Sequence, residues 1–313
     1  MKKFTKVALI VAAVLTVFGI ALGISGLALG ATLGGFRELL EAGKFSIDIF
    51  DFKDEDDMEE KVSTAVNGWK NAEVKRMEID AAGIDSIFMD IGSGQVQISE
   101  GSRSDCIEVI VTYKKQDHKR QVVCEEAAGT LQITDDGDYN IIGDDSSVFV
   151  QINLPPDKEY EQMDLRMDAG ELNVKLPLTA DNINLELDAG ECKIQKDITA
   201  HSRLCASVDA GELDISRLKA KELELNTNVG EIDVDSAAAD DTVISCDIGT
   251  ISANFEGKSA DYNYQINCDV GSVELDGESK GGLDKDCKEE HHGASKNMEI
   301  NCKVGEVKVD FLN

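Results

Sequence analysis

The stretch Met167-Asp168-Ala169-Gly170-Glu171-Leu172-Asn173-Val174 decides how this chain is read, because its pattern returns about every twenty residues up to the C-terminus. It returns as LDAGECKI (187–194), VDAGELDI (208–215), TNVGEIDV (227–234), CDIGTISA (246–253), CDVGSVEL (268–275) and CKVGEVKV (302–309). The gaps between Gly170, Gly190, Gly211, Gly230, Gly249, Gly271 and Gly305 are 20, 21, 19, 19, 22 and 34 residues, so only the last holds an insertion.

Within each copy the apolar residues alternate, and the phase slips by one at the glycine. Leu165, Met167 and Ala169 precede Gly170 at odd offsets, whereas Leu172, Val174 and Leu176 follow it at even ones. Alternation with period two marks strands, so each copy reads as two short strands meeting at a bend. Glycine suits that bend because it accepts positive φ and lets two backbones come close.

A single copy cannot bury its apolar face, but stacked copies cover one another, which is the logic of a solenoid. The predicted fold is therefore all-β, a single-stranded, β-helix-like β-solenoid, with equivalent positions forming ladders at a spacing of about 4.8 Å. The ladder three before each glycine, Met167, Leu187, Val208, Thr227, Cys246, Cys268 and Cys302, is expected to point inward.

Two acidic ladders are expected to point outward. One runs Asp168, Asp188, Asp209, Asn228, Asp247, Asp269, Lys303, and the other, just after each glycine, runs Glu171, Glu191, Glu212, Glu231, Thr250, Ser272, Glu306. Like charges about 4.8 Å apart in water repel by roughly 1 kcal/mol, less in salt. Two readings are open: a solvated edge that discourages aggregation, or a cation ridge holding calcium on Asp168, Asp188, Asp209, Asp247, Asp269, Glu171, Glu191 and Glu212. Calcium takes about six to eight oxygen ligands, and two adjacent rungs offer four carboxylates.

The 313 residues carry a formal charge of −30. Lys2, Lys3 and Lys6 precede every acid, so residues 37–313 hold 28 positive and 61 negative side chains. Such a surface excludes nucleic acid as a partner and leaves cations, basic peptides and positively charged surfaces.

From Val7 to Phe36 the thirty residues contain no charge. As a helix at about 1.5 Å per residue they exceed the roughly 30 Å hydrocarbon core. A cleaved signal peptide has a shorter apolar region of about 7–15 residues, so residues 1–36 are expected to be a cytoplasmic stub and a retained transmembrane helix. In the alternative, Ala28-Leu29-Gly30-Ala31 is a cleavage site. The leading lysines place the N-terminus in the cytoplasm and the rest outside the cell membrane. Gly19, Gly23, Gly26, Gly30 and Gly34 draw one stripe down that helix, a pattern of close helix pairing that would support a homo-oligomer, although glycine is also simply common in membrane spans.

Residues 37–76 read as a juxtamembrane connector and residues 77–313 as the solenoid domain. Within it MEIDAAGIDSIFMDIGSGQVQISEG (77–101) starts the pattern with Gly94 as its corner, and the segments 105–113, 121–137 and 148–160 look hairpin-like, a cap for the open end. The corner Gly94-x-Val96-x-Ile98, the strand from Gly129 to Ile133, the segment from Ile152 to Pro155 and the reiterated G-E-L/I/V turns resemble the bacterial putative-adhesin domain family, a family of unknown function. The resemblance covers roughly residues 77–313. It implies a β-solenoid on the outer face of a bacterial membrane and brings no catalytic residues with it.

No chemistry stands out from the residues themselves. The eight cysteines do not fall in metal-type pairs and are expected to be free buried thiols, with Cys106 and Cys124 the first pair to test for a bridge. Cys287, His291 and His292, inside the insertion, form the single cluster of metal-binding residue types, but zinc there would lack a fourth ligand, and a polar exposed loop is the ordinary reading. A polysaccharide lyase needs grouped carboxylates and a basic residue; the carboxylates here single out no pair, and Arg166, Arg203 and Arg217 are the only basic candidates of that kind on the repeats. The expectation is a protein without enzymatic activity, a structural or adhesin-like binding module for a surface polymer or an envelope protein. The alternative is an envelope-stress sensor signalling to a membrane partner.

Overall fold

The computed structural model describes residues 72–113, 121–135, 148–282, 287–289 and 293–312. The predicted membrane helix, most of the connector, the basic turn 114–120 and the pair His291 and His292 lie outside the described residues. Among the described residues no helix is long and apolar enough to cross a membrane.

The strands in chain order are β1 (Glu73–Asp80), β2 (Ser86–Glu100), β3 (Cys106–Tyr113), β4 (Val122–Ala127), β5 (Thr130–Asp135), β6 (Val148–Leu154) and β7 (Glu159–Val174). They continue as β8 (Leu178–Lys219), β9 (Glu222–Ala238), β10 (Asp241–Glu256), β11 (Tyr262–Leu275), β12 (Glu278–Gly282), β13 (Cys287–Glu289) and β14 (Lys296–Leu312). Strand structure thus begins at Glu73, inside the segment read as connector.

The repeats stack in parallel with their glycines in register. Gly94 pairs with Gly170, Gly170 with Gly190, Gly211 with Gly230, Gly230 with Gly249, Gly249 with Gly305, and Gly305 with Gly271. Strand β8 carries two corners, and a Cβ built on its Gly211, at φ +147°, would lie 1.7 Å from the carbonyl oxygen of Gly190. Only a hydrogen fits there, and it makes a C–H···O contact with the rung before it. Glycine at this position is a condition of stacking, beyond its tolerance of the dihedral angle.

The inward ladder is as expected: from Met167 through Thr227 to Cys268 no member is more than 5 % exposed. The residue just before each glycine departs from expectation. Ala169, Ala189, Val229, Ile248, Val270 and Val304 are half-exposed and Ala210 is exposed, because the chain is already turning there, and they form an apolar row between the two acidic ladders.

The order of rungs also departs from chain order at the C-terminal end. Strand β14 lies between β10 and β11, so the inward ladder runs Cys246, Cys302, Cys268. Electrostatics favours this order. Direct pairing of β10 with β11 would set Asp247 beside Asp269, whereas β14 puts Lys303 between them, with its Nζ 2.6 Å from Asp247 Oδ1. The insertion is not simply an exposed loop: β12 and β13 pair antiparallel with the far edge of β11 and cover it. Inside, the rings of Phe255, Tyr262 and Phe311 close the end, with Tyr262 and Phe311 centroids 5.2 Å apart.

The N-terminal end uses the same device. Strand β2 lies between β7 and an outer rung made of β5 and β6, which pair with the first and second halves of β2. Strands β3 and β1 then continue antiparallel from β6, and β4 pairs antiparallel with β5. The predicted cap is present, but two of its strands are themselves a split rung of the solenoid.

Candidate functional site

The acidic ladders stand where the sequence puts them, facing outward. Asp168, Asp188, Asp209 and Asp269 are exposed, and Asp247, Glu171, Glu191 and Glu212 are half-buried. Burial raises the Asp168 carboxyl above the ordinary carboxylate range, helped by Asp188, Asp90 and Asp135. Glu212 is raised likewise by burial and by Glu191, with Lys193 opposing the shift. Lysines relieve the repulsion locally: Lys303 pairs with Asp247 and Lys193 with Glu191. Among the described residues no three His, Cys, Asp or Glu side chains are grouped so as to hold a metal ion. The apolar row at the corner separates the aspartate ladder from the glutamate ladder.

The three arginines considered for catalysis are each committed to an acid one turn away. Arg166 Nε lies 3.4 Å from Glu186, Arg217 lies 3.2 Å from Asp197, and Arg203 pairs with Glu224.

A groove of about 290 Å³ lies on the outward side of the strands before the corner, lined by Gln162, Asp164, Asn182, Asn184, Arg203 and Cys205. These six form a grid of two rows. Gln162 pairs with Asn182 and Asp164 with Asn184, and Arg203 and Cys205 hold the same offsets from Gly211. Asn184 Nδ2 donates to Glu186 Oε1 at 3.0 Å, which orients its amide. Phe88 stands beside Asp164 in the neighbouring rung, with Arg166 Cζ 5.9 Å from its ring. One carboxylate and one guanidinium among amides make this lining nearly neutral on a chain of charge −30. The arrangement offers donors and acceptors in a flat array and no paired acid and base.

Sequence reasoning missed the groove. Its signal was the amides Gln162, Asn182 and Asn184, six and eight residues before the glycine in two successive copies.

All seven described cysteines with resolved side chains are free thiols, Cys106 and Cys124 included. Cys246, Cys302 and Cys268 are buried and stand side by side in successive rungs.

A family model described as Toastrack DUF4097 matches residues 84–288. The chain belongs to this family. The part matched to the Toastrack model leaves β14 outside it. No curated protein matches the chain. Among solved structures the Toastrack chain is similar to a "putative cell adhesion protein" from Clostridium sporogenes at 18% identity and TM-score 0.35, covering 77% of this chain and 100% of that one. It is also similar to a "putative adhesin" from Parabacteroides distasonis, at 15% identity and TM-score 0.43 over 77% and 98% of the two chains. A "putative lipid binding protein" from the same organism matches at 14% identity and TM-score 0.31 over 78% and 98%.

Proposed function

We propose that this Toastrack protein is a single-pass bacterial membrane protein whose extracytoplasmic β-solenoid is a non-catalytic, adhesin-like binding module for a surface polymer. The uncharged run from Val7 to Phe36 and the lysines before it support the anchor and its orientation. The observation that carries the binding role is the groove across three rungs, where Gln162, Asn182 and Asn184 present amides beside Asp164 and Arg203. A nearly neutral array of donors and acceptors suits hydroxyl-rich chains better than polyanions, which the surrounding acids repel.

The test is retention of fragment 73–313 on isolated cell-envelope polysaccharide. The fragment is expected to bind, and the double variant Asp164→Ala, Asn184→Ala to bind about tenfold more weakly, as the loss of one or two hydrogen bonds implies. Retention unchanged in the double variant would remove the groove from the reading. The glycine stripe from Gly19 to Gly34 favours a second reading, an envelope-stress regulator acting through its helix. On that reading deleting residues 1–36 abolishes the phenotype and the fragment binds nothing on the cell surface.

A further inference from the structure

Cys246, Cys302 and Cys268 are consecutive rungs of one inward ladder, an order that exists because β14 enters between β10 and β11. Their relative exposures are 1, 2 and 5 %. Cys302 pairs in register with both neighbours. Each sulfur also faces a corner carbonyl, Cys246 Sγ at 4.0 Å from Gly230 O, Cys302 Sγ at 3.9 Å from Gly249 O and Cys268 Sγ at 3.6 Å from Gly305 O. Paired residues on adjacent parallel strands hold their Cα atoms about 4.8 Å apart, inside the roughly 4.4–6.8 Å that disulfides span, while their in-register Cβ atoms sit slightly wider than the roughly 3.5–4.5 Å of a bridge, so closing one requires a small shift of the C-terminal rung. Two rungs away the separation doubles to about 9.6 Å, beyond the reach of a bridge.

We propose that these three thiols form a thiol–disulfide latch in which Cys302 couples to Cys246 or to Cys268, tying the C-terminal strand to a neighbouring rung. The oxidant is a low-molecular-weight disulfide of the glutathione class. One ladder thiolate attacks it, giving a mixed disulfide and one released thiol. The neighbouring ladder thiolate then attacks the protein sulfur of that mixed disulfide, forming the Cys–Cys bond and releasing the second small thiol. Two protein thiols give up two protons and two electrons, the oxidant's S–S bond takes them up, and the third ladder thiol stays reduced.

Cys302 must be a partner in either product, because it alone lies beside both others. The neighbouring Cys246 and burial push the Cys302 thiol up to about 12, with Cys268 opposing. The reagent enters when the end of the solenoid opens locally, and the bridge, once made, opposes that opening. Burial keeps the latch slow and confines it to the one end whose cover is short.

The experiment treats the purified full-length protein with oxidised glutathione, maps cross-linked peptides by mass spectrometry and follows unfolding in denaturant. The expected product joins Cys302 to Cys246 or Cys268, slows unfolding by about tenfold or more and is reversed by dithiothreitol. Cys302→Ser is expected to form no bridge among the remaining pair and to lose the slowing, whereas Cys124→Ser keeps both. Slowing that persists in Cys302→Ser would overturn the latch, and so would oxidation confined to Cys124 and Cys205. Should Cys302→Ser fail to fold, the peptide map and unfolding rate of the unsubstituted protein with and without oxidant decide the matter alone.

Discussion

Between Gly170 and Gly249 the rungs stack in the order in which the chain makes them, whereas at either end that order breaks in the same way. Strand β2 lies inside the split rung of β5 and β6, and β14 lies inside β11. The first and last copies of the pattern are thus held by parallel partners on both edges, and a segment from deeper in the sequence takes the outermost place. Antiparallel strands then cover that place. The middle needs no such device because each repeat buries the next, but a repeat offers nothing to cover an open edge. The two covers are unequal: β1 and β3 have 8 residues each, β12 and β13 only 5 and 3.

Alanine at a corner glycine tests this contrast most severely. A Cβ on Gly211 would stand 1.7 Å from Gly190 O, and one on Gly271 1.6 Å from Gly305 O, so the two clashes are alike. Gly211 is fixed by rungs on both sides, whereas β11 has full rungs on one side only and can shift outward. Gly211→Ala is expected to cost about 4 kcal/mol or more and Gly271→Ala about half of that, measured by equilibrium unfolding in denaturant. Equal costs would mean that the C-terminal rung is as firmly held as the middle.

The same contrast marks what could be read from the sequence. The solenoid, its inward ladder from Met167 to Thr227 and its acidic edge were legible because period-two burial repeats at a fixed distance from each glycine. Rung order at the ends was not, since CDVGSVEL and CKVGEVKV fit either neighbour equally well by pattern. What separates them is the charge at Lys303, at a position where the other copies carry Asp or, once, Asn. The half-exposed row from Ala169 to Val270 continues the apolar alternation in sequence but not in burial, because the chain is already bending there. The groove escaped because amides at Gln162, Asn182 and Asn184 become a site only when the rungs lie side by side.

Reversing the charge at Lys303 tests whether electrostatics helps to set that order. Lys303→Glu would place carboxylates in three successive rungs, the introduced one standing between Asp247 and Asp269, and remove the 2.6 Å ion pair. Lys303 is exposed and Asp247 half-buried, so the expected cost is about 1 kcal/mol at low salt. It should shrink by half or more in about 0.5 M salt, since screening acts within a few ångströms there. The counterpart Lys193→Glu in the middle should lower stability by a similar amount without touching strand order. A cost independent of salt would assign the order to packing of Phe311 and the thiols instead.

The smallest effect expected concerns the middle, where acids crowd without exchange of rungs to relieve them. Burial raises the Asp214 carboxyl above the ordinary range, with Asp233, Asp235 and Glu191 adding to the shift and Lys193 opposing it. A carboxyl whose folded-state pKa exceeds its unfolded value keeps its proton longer when folded. In the window between the two values the folded state therefore binds more protons, and stability falls as pH rises through it. The penalty is fully present at neutral pH and is lifted as pH drops below the folded value, the reverse of the usual salt-bridged aspartate. Glu212 and Asp168, raised in the same direction, act with the same sign. Acidifying from about pH 7 towards the ordinary carboxylate range at about pH 4 is thus expected to raise the melting temperature by ~2 °C, and Asp214→Asn to raise it at pH 7 while flattening that dependence. A melting temperature that falls over this range would mean that ion pairs such as Lys193 with Glu191 outweigh the crowding, and that the middle of the solenoid is held by its charges rather than in spite of them.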